Sequence, residues 1–282
     1  MLKYFKCPDG NEVEVDYCLH HCDHECMTLP TRLFVSKTRK QDGVHFSITQ
    51  LTNPTCHEYL KITCPEMVDP MGMMQAGMGT NNHALLEGNI PNGYIGEVRL
   101  ESPDGLISGQ FDLVDLKRKT LFDYKWVSAY SLAMMLGYER KGYWHEFTRG
   151  KKKGQKEWRY KFEPGGKPDY HTYDFQQNAY RVLLKQHGIP IDHMFLQATA
   201  KESDAVLKSL GLDRRVYLIE LPKYDDDEVV EYFHKKYNAL RNAIKAQTIP
   251  PMCEETWNGR RCESYCSVNK YCPYYKKEGF RW

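Results

Sequence analysis

Two strand-like stretches in the middle of the chain constrain its fold most. Apolar and polar residues alternate over 105–115, a charged turn follows at 117–119, and residues 120–127 again favour a strand. The pattern predicts a β-hairpin that carries Gly-x-x-Asp ending at Asp112 and the tripeptide Asp-Tyr-Lys ending at Lys125. Because side chains two positions apart in a strand point the same way, we expect Asp123 and Lys125 to share a face.

Two carboxylates beside a lysine indicate a particular chemistry. Carboxylate oxygens bind hard divalent cations, and a neighbouring lysine can stabilise charge that develops on a phosphate or polarise an attacking water. These residues therefore fit metal-dependent phosphodiester cleavage. The alternative is an ordinary charged edge of a solvated hairpin, because short charged motifs often occur by chance.

Further motifs stand on both sides of the hairpin. Residues 79–83 read G-x-x-x-H upstream of it, and residues 176–180 read Q-x-x-x-Y downstream. With Asp112 and Asp-Tyr-Lys between them, this order resembles the RecB-type branch of the PD-(D/E)XK nucleases, from about residue 46 to the C terminus. The resemblance implies an α/β fold with a restriction-endonuclease-like core, in which helices flank a mixed central sheet.

The same resemblance implies roles for individual residues. It makes Lys125 the catalytic lysine and implies ligands for Mg²⁺ or Mn²⁺, namely the side chains of His83, Asp112 and Asp123 with the carbonyl of Tyr124. A lone histidine is, however, often a capping or surface residue.

A helix is predicted over 173–186, and it carries the Q-x-x-x-Y motif. The resemblance implies that Gln176 and Tyr180 help to hold a substrate strand. The alternative is that these residues, four apart on one helical face, simply pack and hydrogen-bond there.

The C-terminal cysteines form a second pattern. Cys262-x3-Cys266-x5-Cys272 is preceded by Cys253, and Cys56 stands far upstream. This one-plus-three layout resembles the iron–sulfur CRISPR-associated exonucleases, which implies a 4Fe–4S cluster on Cys56, Cys262, Cys266 and Cys272. Zinc is an alternative since four thiolates hold either group. Cys253 could replace Cys56, and a set of buried free thiols is the third possibility.

The N-terminal segment 1–40 lies outside the resemblance and is predicted to be a cysteine-rich appendage. The nuclease domain is predicted over 41–282, and its C-terminal cysteine segment, 253–272, is expected to close it. The cysteines of segment 1–40 could form a zinc module: Cys7, Cys18, Cys22 and Cys26. The histidines at 20, 21 and 24 are alternative ligands. Alternatively, Cys18, Cys22 and Cys26, which are spaced four residues apart, form a buried stripe on one helix. Ten cysteines with no signal-peptide pattern favour a reducing, cytoplasmic environment.

A basic and aromatic stretch follows the hairpin. Lys151, Lys152 and Lys153 continue into further lysines and an arginine at 156–161, among aromatic residues at 144, 158 and 160. Lysines could neutralise phosphates while aromatic rings stack on unpaired bases. The alternative is a flexible, solvated, glycine-flanked loop. The net charge of +2 leaves the choice of partner open.

Several other elements are predicted from periodicity. Residues 192–200 and 214–222 read as strands, and the acids at 225–228 are expected to cap a helix that runs to about 246. The segment 67–78 is predicted as a mobile connection or an adaptable packing segment. No apolar run is long enough to cross a bilayer, so no membrane partner is expected.

Together these patterns predict a metal-dependent DNA exonuclease that acts on single strands or DNA ends. The alternative, from a different functional class, is a DNA-binding accessory module of recombination or repair that cleaves weakly or not at all. Either function would allow protein partners in recombination, repair or CRISPR-type systems.

Overall fold

The computed structural model of the chain describes residues 2–23, 26–37, 41–254 and 256–275, without the side chains of residues 75, 76 and 80–84. The described residues fold as two units. The first unit takes its residues from Met1–Asn89, Arg99–Gln110 and Asp225–Trp282. The second takes them from Ile90–Val98 and Phe111–Tyr224.

The first unit combines short strands with helices. Its elements are β1 (Leu2–Lys6), β2 (Glu12–Glu14), α1 (Val15–His20), α2 (Leu29–Val35), β3 (Phe46–Ser47), α3 (Ile48–Thr52), α4 (Thr55–Thr63), β4 (Glu66–Val68), α5 (Pro70–Glu87), α9 (Asp226–Ala246), α10 (Arg260–Ser264) and a 3-10 turn (Asn269–Tyr271). Two further strands, β5 (Tyr94–Glu101) and β6 (Ile107–Asp115), contribute residues to both units.

The N-terminal segment packs as part of the first unit. Strand β1 lies between β2, which is antiparallel to it, and β4, which is parallel. Behind this small sheet Phe5, Cys18 and Val35 form a buried cluster, and Met73 and Met74 of α5 pack against it. The N-terminal residues therefore share a core with the start of α5.

Helix α5 corrects one sequence prediction. Residues 67–78 were expected to include a mobile connection, but the chain is helical from Pro70 onward. Asp69 caps the helix by accepting the Met71 N–H at 3.0 Å, and proline in the first turn fits helical backbone geometry. Gly77 is needed for packing, because a Cβ there would collide with the Phe34 ring. The alternative of an adaptable packing segment agrees with the contacts of its methionines.

Helix α9 is the longest helix of the described chain and begins as predicted. Asp225 accepts the backbone N–H groups of Asp227 and Glu228 at 2.9 and 3.2 Å, so its role as a helix cap is confirmed. The helix buries an apolar stripe. Its Lys236 donates to the Asn53 carbonyl at 2.7 Å. This bond joins α9 to the chain between α3 and α4.

The second unit contains the remaining elements. They are β7 (Thr120–Val127), α6 (Ala129–Met135), β8 (Tyr138–Glu146), β9 (Lys156–Pro164), α7 (Tyr173–Gln186), β10 (His193–Ala200), α8 (Asp204–Ser209) and β11 (Val216–Glu220). Strands β8 and β9 form a separate antiparallel pair. The larger sheet has the order β11-β10-β7-β6-β3, with β5 also paired to β6.

The larger sheet is mixed, as predicted. Strand β7 is antiparallel to β6 and parallel to β10, while β11 is antiparallel to β10. The hairpin, the helix over 173–186 and the strands near 192–200 and 214–222 all appear at or close to the expected residues. The chain is thus a mixed α/β protein. Within its described residues, no helix has both the length and the apolar character needed to span a membrane.

Candidate functional site

The two predicted carboxylates are buried beside each other in the second unit. Asp112 on β6 is 8% exposed and Asp123 on β7 is 2% exposed. The strand register pairs Leu113 with Phe122, so Asp112 and Asp123 occupy the next facing positions. The carboxylate of Asp112 accepts the backbone N–H of Tyr124 at 2.6 Å. The hairpin therefore gathers both acids at one point.

Lys125 completes this buried group. Its Nζ lies 2.6 Å from Oδ2 of Asp123, so the two side chains share a face of β7, as the alternation predicts. The Lys125 ammonium also lies 4.8 Å from the centre of the Tyr173 ring on α7. An aromatic face at this distance stabilises a cation and shields it from water.

The charge of Lys125 follows from these neighbours. Burial disfavours the ammonium, but the carboxylate of Asp123, followed by that of Asp112, outweighs burial and raises the pKa of Lys125 above 10.5. Because the folded-state pKa is raised, the ion pair stabilises the fold fully below the unfolded lysine value and is lost only at higher pH. At neutral pH Lys125 is thus a cation and cannot accept a proton.

Helix α7 supplies a contact that the sequence analysis did not assign. Gln177 is fully buried and donates from Nε2 to Oδ1 of Asp123 at 2.8 Å, while its Oε1 has no hydrogen-bond partner. Tyr173 and Gln177 are four residues apart on one helical face, and both reach the Asp123–Lys125 pair. This spacing of four residues is the sequence feature that could have predicted the contact of Gln177 with Asp123.

The neighbouring motif residues make a different contact. Gln176 donates from Nε2 to the Tyr180 hydroxyl at 3.1 Å, and both side chains are buried. This is the intrahelical contact that the sequence analysis gave as the alternative. Their part in holding a substrate strand stays a prediction.

The site holds more acidic side chains than basic ones. The carboxyl groups of Asp112 and Asp123 stand beside the single ammonium of Lys125, and Glu97 is close enough to affect the Tyr124 phenol. Burial, then Asp112 and Glu97, raise the pKa of that phenol. The backbones of Gly96 and Asp112 pack closely, because a Cβ at Gly96 would lie 2.8 Å from the Asp112 carbonyl oxygen. An acidic, oxygen-lined pocket fits a hard divalent cation.

Donor atoms are present, but they are not yet gathered around one point. Among the described residues, no three His, Cys, Asp or Glu side chains stand in an arrangement that could hold a metal ion as they are. Both oxygens of Asp123 already face Gln177 and Lys125. Metal binding would therefore shift these side chains. The predicted ligand His83 lies in α5, but its side chain is outside the described residues.

The C-terminal cysteines meet Cys56 within the first unit. Cys56 is buried on α4, where its thiol interacts with those of Cys253 and Cys272. Electrostatic interactions extend the group to Cys262 on α10 and to Cys266. Cys253 and Cys56, predicted as alternatives for one position, are thus in direct contact with each other.

Interactions among these thiols shift their pKa values in opposite directions. The contacts with Cys253 and Cys272, followed by burial, raise the pKa of Cys56 far above its ordinary value. The same contacts lower the pKa of Cys253 and Cys272, because a thiol that donates a hydrogen bond stabilises a neighbouring thiolate. Soft sulfur donors at this density fit zinc or an iron–sulfur cluster.

The N-terminal cysteines lie in another part of the first unit. Cys7 follows β1, Cys18 is buried on α1, and Cys22 and Cys26 lie beyond the end of that helix. The alternative of one buried helical stripe is therefore wrong, because α1 ends at His20, before Cys22 and Cys26.

The basic stretch is a hairpin, which corrects the alternative of a flexible loop. In β8 and β9, Trp144 faces Trp158 and Gly142 faces Tyr160. One face of the hairpin is aromatic: Trp144 is 65% exposed, its ring centre is 5.2 Å from that of Trp158, and Tyr160 follows on the same side. Glycine is required at 142, because a Cβ there would collide with the Trp158 ring.

The opposite face of the hairpin is charged but balanced. Basic side chains pair with glutamates at 2.5–3.0 Å in the pairs Lys141–Glu139, Arg159–Glu157 and Lys161–Glu163. Among the basic residues predicted to bind phosphates, Arg159 and Lys161 are thus already compensated. Lys151, Lys152 and Lys153 lie together in the exposed turn between the strands.

No protein-family model matches the chain, and no curated protein matches it either. Functional inference therefore depends on the order of the motifs and on the chemistry of these sites.

The buried ion pair predicts a large effect of Lys125→Met on stability. With chelator present, the free energy of unfolding should fall by about 3–5 kcal/mol, because Asp123 keeps a buried charge without its cation. Millimolar Mg²⁺ should restore part of this loss by replacing the missing positive charge. Denaturant unfolding at neutral pH measures both effects.

Lys161→Met is the matched control. Its pair with Glu163 is exposed, and exposed pairs contribute only about 0–1 kcal/mol. Equal losses in the two variants, neither sensitive to Mg²⁺, would contradict the description of a buried acidic cation site.

Proposed function

We propose that the chain is a metal-dependent deoxyribonuclease with a restriction-endonuclease-like core, acting on single-stranded DNA or DNA ends. One observation carries the proposal: on adjacent strands, the buried carboxyl groups of Asp112 and Asp123 stand beside the largely buried ammonium of Lys125. The motif order in the sequence supports the same assignment.

The two carboxylates would hold the cation. Asp112 and Asp123 would be its protein oxygen ligands, together with the carbonyl of Tyr124 and the side chain of His83. When bound, Mg²⁺ or Mn²⁺ would activate water and neutralise charge on the scissile phosphate. The acidic pocket also disfavours an unneutralised phosphate, which makes cleavage dependent on the cation.

Lys125 acts as a fixed positive charge. Without a bound cation, the raised pKa keeps the ammonium protonated at neutral pH, which favours a role as a positive charge over that of a general base. It instead stabilises the negative charge that develops on the phosphate oxygens and the leaving group. The Tyr173 ring and the Asp123 carboxylate hold the ammonium in position before substrate arrives.

Gln177 is a positioning residue for the same reaction. Its amide fixes Asp123 Oδ1, so the other oxygen stays directed toward Lys125 and the proposed cation. The unpartnered Oε1 can accept a hydrogen bond from a water at the site. Gln177 therefore links α7 to the reacting centre.

The hairpin of β8 and β9 would grip the nucleic acid. Its aromatic face presents Trp144, Trp158 and Tyr160 to solvent, and exposed rings stack on unpaired bases without selecting a sequence. The three lysines of the turn are available for phosphates. Stacking on the aromatic face, combined with phosphate binding by the turn, favours single-stranded substrates, whose bases are open to stacking.

The C-terminal cysteine group would hold a 4Fe–4S cluster, with zinc as the alternative. Cys56, Cys262, Cys266 and Cys272 are the implied ligands, and the contact of Cys253 with Cys56 makes it a fifth candidate. The group would join α4 to the chain that follows α9. Such a closure of a long loop stabilises the folded state.

The first test of the function separates metal binding from chemistry. Asp112→Asn should abolish cleavage of end-labelled DNA and weaken divalent-cation binding, because a ligand charge is lost. Lys125→Met should keep cation binding while the cleavage rate falls by about 100- to 1,000-fold. Single- and double-stranded DNA with Mg²⁺, Mn²⁺ or chelator provide the assay.

DNA binding should survive in both variants, and Lys161→Met should cleave like the parent. If Lys125→Met cut DNA at the parental rate under matched metal and salt, the buried group would not be the active site. The DNA-binding accessory module would then be the better description.

A second prediction concerns the hairpin. Replacing Lys151, Lys152 and Lys153 by Ala should reduce the slope of log affinity against log salt by about 2 for single strands. Trp158→Ala should instead lower single-strand affinity by about 1–3 kcal/mol without changing that slope. Fluorescence anisotropy at several salt concentrations measures both quantities.

Lys141→Ala is the control, because Lys141 is already paired with Glu139. A slope unchanged in the triple variant would show that the turn does not contact phosphates. Equal losses for single- and double-stranded DNA in Trp158→Ala would argue against base stacking.

A third prediction identifies the C-terminal cofactor. Protein purified without oxygen should be brown, and the visible absorption should disappear in Cys262→Ser, Cys266→Ser and Cys272→Ser. Cys64→Ser, which lies outside the group, should keep the colour. Colourless protein with stoichiometric zinc that Cys272→Ser removes would reject the iron–sulfur assignment and leave the nuclease proposal unaffected.

A further inference from the structure

The N-terminal segment brings four cysteines together from different elements. Electrostatic interactions link Cys26 to both Cys7 and Cys18, and Cys22 to Cys18. The end of β1, helix α1 and the chain after it thus place these thiols close enough to interact electrostatically, but not in ligand geometry. Since no single helix carries all of them, packing of one apolar face does not explain the grouping.

Arg32 provides a second, independent observation. Its side chain is 7% exposed, and its guanidinium donates to the Cys18 carbonyl and interacts with the Cys18 thiol. Its Nε has no hydrogen-bond partner. Within the described chain no carboxylate pairs with Arg32. A buried, unpartnered guanidinium N–H is costly, and an anionic group beside Cys18 would satisfy it.

The small core of this segment points in the same direction. In the described chain, Phe5, Cys18 and Val35 are the buried residues of the cluster behind β1, with partly buried apolar residues such as Met73 and Met74 packed against them. A core of this size stabilises its segment modestly, and small cores are commonly supplemented by a metal or a disulfide. A crosslink among the four cysteines would hold β1 against α1.

We propose that Cys7, Cys18, Cys22 and Cys26 bind a structural zinc ion through four thiolates. Each thiol gives up its proton on binding, and Zn²⁺ with four thiolates carries a net charge of minus two. The guanidinium of Arg32 compensates for part of this charge and orients the Cys18 sulfur. His20 is a poorer ligand, because its Nδ1 already contacts Asp16. The sulfurs must turn toward a common centre, since they are not yet in ligand geometry.

The test uses the full chain and measures zinc and iron per chain after purification in reductant. Cys22→Ser and Cys26→Ser are the informative variants, because these side chains are not buried and their loss leaves the core intact. Each should remove one equivalent of zinc without changing the metal held by the C-terminal group. Cys64→Ser is the matched control and should keep all metal. Cys272→Ser should lose the C-terminal metal alone.

A substitution of Arg32 tests the charge argument separately. Arg32→Met should lower zinc affinity by about 10- to 100-fold in competition with a chelator, because an outer partner of a ligand is lost. In the zinc-free protein the same variant should be no less stable than the parent, since an unpaired buried cation is removed. Arg32→Lys should restore part of the affinity.

Two results would overturn the zinc site. One is zinc content in Cys22→Ser and Cys26→Ser equal to that of Cys64→Ser. The other is a disulfide among these four cysteines in protein that contains no zinc at this position. Neither result affects the nuclease proposal, because the site lies outside the residues that carry it.

Discussion

Burial of the Asp123 carboxylate is the constraint on which the second unit depends. A carboxylate this deeply buried must be compensated, and it has two partners in fixed places. Lys125 is two residues along the same strand, so β7 supplies the charge itself. Gln177 supplies the hydrogen bond from α7, which fixes the helix against the sheet. The spacing of Asp-x-Lys is therefore a structural requirement as well as a chemical one.

The elements with a clear periodic pattern of apolar side chains could be predicted from the sequence. Strands β6 and β7 alternate with period two, and α7 and α9 carry amphipathic or capped patterns that the structure reproduces. Helix α5 was missed because its glycines and methionines hide a good cap at Asp69 followed by Pro70. Gln177 was missed because motif spacing selected its neighbour, Gln176. The two glutamines are consecutive, so a rotation of about 100° around the helix separates an intrahelical contact from a contact with Asp123.

Pairing of charges explains why composition misleads in the β8–β9 hairpin. Counting lysines and arginines predicts a strongly basic surface, yet three basic residues of one face each pair with a glutamate two positions away on the same strand. Alternation along a strand brings residues two apart to one face, so the charge balance follows from the order of residues and not from their number. What remains available is the aromatic face and the lysines of the turn. Recognition by stacking then outweighs recognition by charge.

The same rule for buried charge applies in opposite senses to the two units. In the second unit a buried carboxylate has its lysine, and a second carboxylate leaves a net negative pocket that favours a cation. In the first unit a buried arginine has no carboxylate in the described chain and lies against a cysteine. A thiol is neutral and cannot compensate for a guanidinium, whereas a zinc thiolate group can. From the acids around Lys125 and from the buried Arg32 we infer, respectively, the cation site proposed in the second unit and the zinc–thiolate group proposed in the first.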